Sequence, residues 1–180
     1  PSVITVHTGT LRPVRVEIPV KSPTPGTVAV LVRPDGGEEV IRASAVTETG
    51  LTLAVQTGAA VKLVDNSRPF ADTQGHWAAD AAAFGSAREI FSGKGENRFA
   101  PDETMTRAML MTGLARLDGV DTAGGSVWYE KGMAWAAANG VSDGSAPNSQ
   151  ITREQLAAML YRYAGSPAVD GRALPFHDAD

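Results

Sequence analysis

Two arginines directly follow a threonine at what reads as the start of a helix, in Thr106-Arg107 and Thr152-Arg153. A guanidinium placed there has a definite chemical use. Its planar fork can grip a carboxylate through two bonds, and the first amides and positive dipole end of the helix favour the same anion. Trp77 and Trp128 offer flat apolar faces suited to the C–H side of a sugar ring, with an N–H left for a polar partner. Ser92-Gly93 and Asp143-Gly144 read as tight turns whose amides and short side chains could reach a sugar hydroxyl. Each feature also has a plainer use. The arginines could pair with acids such as Asp102 or Glu154, the tryptophans could be core, and the glycines could simply make turns. Trp135, at mid-helix, is assigned to the core.

These residues recur in order. Trp77, Phe84, Ala87, Ile90 and Gly93 return 51 positions later as Trp128, Trp135, Ala138, Val141 and Gly144. Met105-Thr106-Arg107, Leu110, Leu114 and Arg116 return 46 positions later as Ile151-Thr152-Arg153, Leu156, Leu160 and Arg162. The change of offset means that the second copy has a shorter loop. A period near 50 marks a small helical module that buries a core only against its neighbours, so function is expected between modules.

The elements that must position these groups follow from apolar spacing. Trp77, Ala81 and Phe84 share one helix face, as do Leu110, Leu114 and Leu117, then Trp128, Gly132 and Trp135, then Leu156, Leu160 and Tyr163. Thr152 with Gln155 predicts a capping box, whereas Thr106 has Met109 at that place and keeps only the cap. Gly140 is suited to close the third helix in a left-handed conformation. Loops rich in Gly, Asn, Asp and Pro, Ser92 to Glu103 and Ser142 to Gln150, separate the members of each pair.

Upstream the period is two. Val14 to Ile18 alternates, Thr27 to Val32 and Glu39 to Ile41 flank the turn Arg33-Pro34-Asp35-Gly36-Gly37, and Leu51 to Val55 and Ala60 to Val64 read as further strands. Pro13, Pro19, Pro23 and Pro25 argue for edge strands or irregular ends. The period changes at Asp65 to Pro69. The expected class is α+β: a small all-β N-terminal domain over 1–66, then an all-α repeat domain.

Composition narrows the function. A formal charge of −4 and a pI near 5.4 leave no basic footprint for nucleic acid or an anionic membrane. No apolar run is long enough for membrane insertion, and zero cysteine rules out disulfides and thiolate chemistry. The start, Pro1-Ser2-Val3, reads as the beginning of a piece of something longer. His7, His76 and His177 lack metal-ligand spacing, and no Gly-x-Ser-x-Gly elbow is present. Gly93 to Arg98 begins like a dinucleotide loop but ends in arginine with no preceding parallel strand. Glu89, Asp102 and Asp118 could approach one another, but nothing singles them out as a glycosidase pair. The expectation is a non-enzyme with no cofactor and no metal.

The motifs Phe70-x-Asp72, Gly75-His76-Trp77-Ala78, Ser92-Gly93, Phe99-x-Pro101 and Met105-Thr106-Arg107-Ala108 together resemble one surface-layer homology repeat. Trp128-Tyr129, Trp135-Ala136, Asn139-Gly140-Val141, Asp143-Gly144 and Ile151-Thr152-Arg153-Glu154 resemble a second, and Phe176-His177-Asp178 the opening of a third. The corresponding boundaries are 69–122, 123–168 and 176–180. The second copy has no clear Phe-x-Asp opening. The β-rich leader resembles, on weak motifs, segments of large clostridial surface proteins. The resemblance implies a module found in threes, a pseudo-threefold bundle whose grooves bind an acidic, often pyruvylated, secondary cell-wall polysaccharide. It implies an extracellular protein of the cell wall or surface layer. Glycan-binding residues are then expected at Arg107, Arg153, Trp77, Trp128, Ser92, Gly93, Asp143 and Gly144. The alternative is a self-assembling surface protein, a homo-oligomer in which another copy completes the truncated bundle.

Overall fold

The β-branched run Thr-Val-Ala-Val-Leu-Val of Thr27–Val32 holds the architecture together, because both of its faces are buried. The computed structural model describes residues 2–168; the Phe176-His177-Asp178 motif lies outside the described residues. Strands β1 (Val3–Val6), β2 (Val14–Pro19), β3 (Thr27–Val32), β4 (Glu38–Val40), β5 (Ser44–Val46), β6 (Gly50–Val55) and β7 (Ala59–Asp65) form two antiparallel sheets. Their orders are β1-β7-β3-β4 and β2-β6-β5. Ile18, Leu51, Leu53 and Val55 from the second sheet meet Ala29 and Val61 from the first in a shared apolar core. Pro19 closes β2, an edge strand where a missing N–H is tolerated. At the β3–β4 turn the Arg33 amide donates to Gly37 O at 2.8 Å, and Gly36 takes φ 84.

A 3₁₀ turn at Ala71–Thr73 leads to the helices α1 (Ala79–Ala87), α2 (Arg107–Leu117), α3 (Glu130–Ala138) and α4 (Arg153–Tyr163). Ala108, Leu110, Met111 and Leu114 of α2 pack with Met133 and Ala136 of α3, Val141, and Met159 of α4. Helices α2 and α3 cross closely at Gly132, where a Cβ would sit 2.7 Å from Thr112 Cα. The caps follow the sequence: Thr152 and Gln155 form the full box, while Thr106 accepts from the Met109 amide only.

The expected division into an all-β domain followed by an all-α domain is overturned. Among the described residues, seven strands in two sheets and four helices form one mixed architecture, because α1 docks on the outer face of β3. Val28 and Val30 point there and share an apolar cluster with Ala87. The next residue, Arg88, is fully buried. It donates from Nε to Ser44 O at 2.8 Å, from Nη2 to Thr27 O at 3.1 Å, and from Nη1 to Pro25 O at 3.1 Å and Phe84 O at 3.3 Å. Its guanidinium lies 3.6 Å from the Phe84 ring centroid, and burial pulls its pKa down to about 10. Asn66 Nδ2 adds a bond to Ala87 O at 2.6 Å. A change of apolar period marks where strands give way to helices. It does not mark where packing stops.

Candidate functional site

A groove of about 460 Å³ opens between the first and second helical pairs. Its floor is apolar, from Ile90, Phe91, Phe99, Met105 and Met109, and its polar groups include Ser92, Arg116 and the Lys94–Glu103 ion pair. Trp128 contributes an indole, 55% exposed, its ring edge-on to Tyr129 at 5.2 Å.

One wall is the loop from Ser92 to Glu103, and its shape is fixed by upstream residues. Gly93 takes φ 74, and a Cβ there would sit 2.6 Å from Arg98 O and 2.8 Å from Phe70 Cε1. Only glycine fits that approach. The Phe70 ring lies 5.2 Å from Phe99, and the Asp72 carboxylate accepts the amides of Phe99 at 2.9 Å and Ala100 at 2.8 Å. These bonds, Phe99 first, hold Asp72 below the usual carboxylate range. The Phe-x-Asp motif thus staples the groove wall.

Arg116 is the cation that distinguishes this groove. Nε donates to Thr122 Oγ1 at 2.8 Å and Nη1 to Ile90 O at 3.1 Å, both neutral oxygens, which fix the fork without neutralising it. Burial and then the nearby Arg42 charge lower its pKa, with Glu89 acting in the opposite direction. Lys94, by contrast, is already paired with Glu103. A carboxylate entering the groove therefore meets an orienting guanidinium, an indole face and a serine hydroxyl.

The expected site residues divide into groups. Ser92, Gly93 and Trp128 line this groove together. Arg107, Asp143 and Gly144 meet elsewhere: Arg107 Nη2 donates to Ser142 Oγ and Asp143 Oδ1, each at 2.8 Å, and Nε to Ser145 O at 3.1 Å. The Gly144 amide also reaches Ser142 Oγ, at 3.4 Å. Asp143 is held below the usual carboxylate range first by the Ser145 amide, then by the Ser145 hydroxyl, with Arg107 a smaller cause. The first amides of α2 are occupied too, Arg107 N by Ser149 O and Ala108 N by Pro147 O, both at 2.9 Å. Arg153 stands apart, exposed at the start of α4. Trp77 is 90% exposed just ahead of α1, beside His76, whose Nε2 lies 3.1 Å from Asp102 Oδ1. Trp135 packs in the helical core and donates to Asp118 Oδ2 at 3.0 Å.

Sequence reasoning missed Arg116 and the methionine floor. The signal was present, since Arg116 recurs as Arg162 in the same run that exposes Arg107 and Arg153. Among the described residues, no cluster of His, Asp and Glu is arranged to hold a metal ion, and no helix is long and apolar enough to cross a membrane.

Residues 69–108 match the family model of the S-layer homology domain. No curated protein and no solved structure matches the chain. The matched stretch runs from the Phe-x-Asp staple through α1 and the groove wall into the first turn of α2. Residues 69–108 are therefore an S-layer homology domain, a module that generally anchors proteins to the cell wall by binding secondary cell-wall polymers.

Proposed function

We propose that this S-layer homology domain anchors its protein by holding an acidic, pyruvylated secondary cell-wall polysaccharide in the groove between two repeats, 69–122 and 123–168. The observation that carries this reading is the convergence of Ser92-Gly93 from one repeat and Trp128 from the next around Arg116, a fixed guanidinium bonded, among the described residues, only to neutral oxygens. In this reading Trp128 stacks on a sugar ring, Arg116 holds the ketal carboxylate through its fork, and Ser92 takes a ring hydroxyl. Arg107, Asp143 and Gly144 bind at the far side of the same junction, where an acidic sugar reaches Arg107 by displacing the Asp143 carboxylate. Trp77 and Arg153 serve outer surfaces that further repeats turn into grooves.

A pull-down on isolated sacculi, before and after hydrofluoric acid strips the secondary polymer, tests the reading. Binding should be lost with the polymer. Trp128→Ala should weaken it by roughly 10-fold and Arg116→Gln by about 10- to 100-fold, the worth of a charge-assisted contact of about 1.5–3 kcal/mol. Retention on stripped sacculi, or wild-type affinity in both folded variants, would refute it.

A second reading, assembly through outer faces, is favoured by the exposed Trp77, Leu160 and Tyr161. Concentration-dependent sedimentation without glycan would support it, and a monomer throughout would remove it.

A further inference from the structure

A second depression lies behind the groove, where helices meet sheets. It measures about 280 Å³ and is lined by Arg42, Arg68, Arg116 and Glu89, with Ser92 and the loop from Val120 to Ala123. These residues come from separate parts of the chain: Arg42 from the bend between β4 and β5, Arg68 from the segment after β7, Glu89 from the end of α1, and Arg116 from the last turn of α2.

The charge balance is unusual for a chain with net charge −4. Three guanidinium groups face two carboxylates. One of these, Asp121, is exposed and uses Oδ1 to accept the Ala123 amide. The other, Glu89, divides itself, with Oε2 3.1 Å from Arg42 Nη2 and Oε1 3.6 Å from Arg68 Nη2. Among the described residues, Arg116 bonds only to Thr122 and Ile90. Arg42 Nε is buried and has no hydrogen-bond partner among the described residues. Arg42 is close enough to Arg116 for its charge to depress the Arg116 pKa.

Glu89 also occupies an unfavourable backbone position. It takes φ 58 where the second helical pair has Gly140 at φ 67, so a glutamate stands where glycine would relieve the backbone. Its presence is understandable if three converging cations require a counter-charge when the cleft holds no other anion.

We propose that this cleft is an oxyanion site, taking a phosphate or carboxylate group between Arg42, Arg68 and Arg116, with Glu89 as its internal competitor. Planar guanidinium forks match the oxygens of either group, and a tetrahedral or trigonal oxyanion would use donors that Glu89 leaves unused. The cleft shares Arg116 and Ser92 with the groove, whereas Arg42, Arg68 and Glu89 line the cleft and not the groove, so substitutions at those three test it separately. Because the cleft joins strands to helices, its occupant would clamp both parts of the molecule at once.

The test is titration of the whole chain with inorganic phosphate, following the Nε–Hε resonances of Arg42 and Arg116 by NMR. Saturable shifts of both are expected, with an apparent Kd on the order of millimolar. Arg42→Gln should weaken binding at least about tenfold, the scale of one lost charge-assisted contact, and Arg33→Gln, whose guanidinium pairs with Glu39 away from the cleft, should leave it unchanged. Glu89→Gln separates a ligand site from a structural ion cluster. It should tighten phosphate binding several-fold and enlarge the rise in Tm that phosphate produces, as expected when a competitor is removed. Purified wall polymer that displaces phosphate would identify a polymer-borne oxyanion, and phosphate binding without displacement a free ion; both outcomes support the site. Absence of saturable shifts, or unchanged or weaker phosphate binding by Glu89→Gln, would overturn it.

Discussion

The two helical pairs end their first helices in the same way and then diverge. In α1 the residue after the last turn is Arg88, which donates to the carbonyl of Phe84 four residues back; in α3 it is Asn139, which donates to Trp135 O at 2.9 Å. The following residue is left-handed in both, Glu89 and Gly140, and the next amide returns to the helix, Ile90 to Gly85 O and Val141 to Ala136 O. Arg88 continues into the strands through three further bonds, whereas Asn139 remains exposed. The loops differ as well. The loop after α1 is stapled from its own pair by Phe70 and Asp72, while the shorter loop after α3 is held by α2 of the neighbouring pair, through Arg107 and the α2 amides. One repeat motif is thus completed by whatever lies beside it: strands for the first pair, and the first pair for the second.

The largest test of that contrast is at the equivalent positions 88 and 139. Arg88→Ala removes the guanidinium from four carbonyls and leaves a cavity, so it should cost about 3–5 kcal/mol, while Asn139→Ala should cost below about 1 kcal/mol. Urea unfolding of the two variants decides it, and equal losses would break the comparison.

The two loop glycines give the next effect. Gly93→Ala adds both a left-handed penalty and a backbone clash and should cost roughly 3 kcal/mol; Gly144→Ala, whose Cβ would make ordinary contacts with Ala137 Cβ at 3.4 Å and Met133 O at 3.9 Å, should cost about 1–2 kcal/mol. Denaturant midpoints should fall in that order. A smaller difference separates the caps. Thr106→Ala and Thr152→Ala should each cost about 1 kcal/mol, and Gln155→Ala a few tenths, while Met109→Ala carries no cap term because no box exists there.

The smallest effect is one of pH. Asp72 and Asp143 both have folded pKa values below their ordinary ones. Each therefore contributes stability that is present above the ordinary carboxylate pKa and lost as pH falls through the lower, folded value. Asp72→Asn and Asp143→Asn should each flatten part of the acid limb below about pH 4. Chemical denaturation from pH 5 to pH 2 measures it, and a wild-type slope in both variants would show that these carboxylates do not set it.

Much of the local structure could be read from residue types. Alternation marked β2, and Thr152 with Gln155 marked the start of α4, because strand faces and helix caps depend on neighbours in sequence. Short β5 and edge strand β1 were missed. Both owe their pairing to distant β6 and β7. The docking of α1 was also missed, although the unbroken apolar run of β3 is what burial on two faces requires. Arg88 resembled any surface arginine at a helix end, and only the packed structure shows four carbonyls around it. Arg107 reads from its place at a helix start as a residue that could grip a carboxylate, but the sequence does not show that a neighbouring loop supplies one for it. Arg116 was hidden among the helix-face leucines around it.

The buried guanidinium of Arg88 also determines how the molecule would carry load. Tension between the helices and the sheets has two routes: the short covalent segment from Asn66 to Pro69, and the contact of α1 with β3. Arg88 bonds at two strands, to Pro25 and Thr27 at the start of β3 and to Ser44 of β5, and β3 is an inner strand hydrogen-bonded on both edges. Force entering at α1 is therefore spread across several strands and resisted by bonds that must break together, not one at a time along an edge. In a wall anchor, that makes the junction a mechanical coupling, with the connecting segment as its slack.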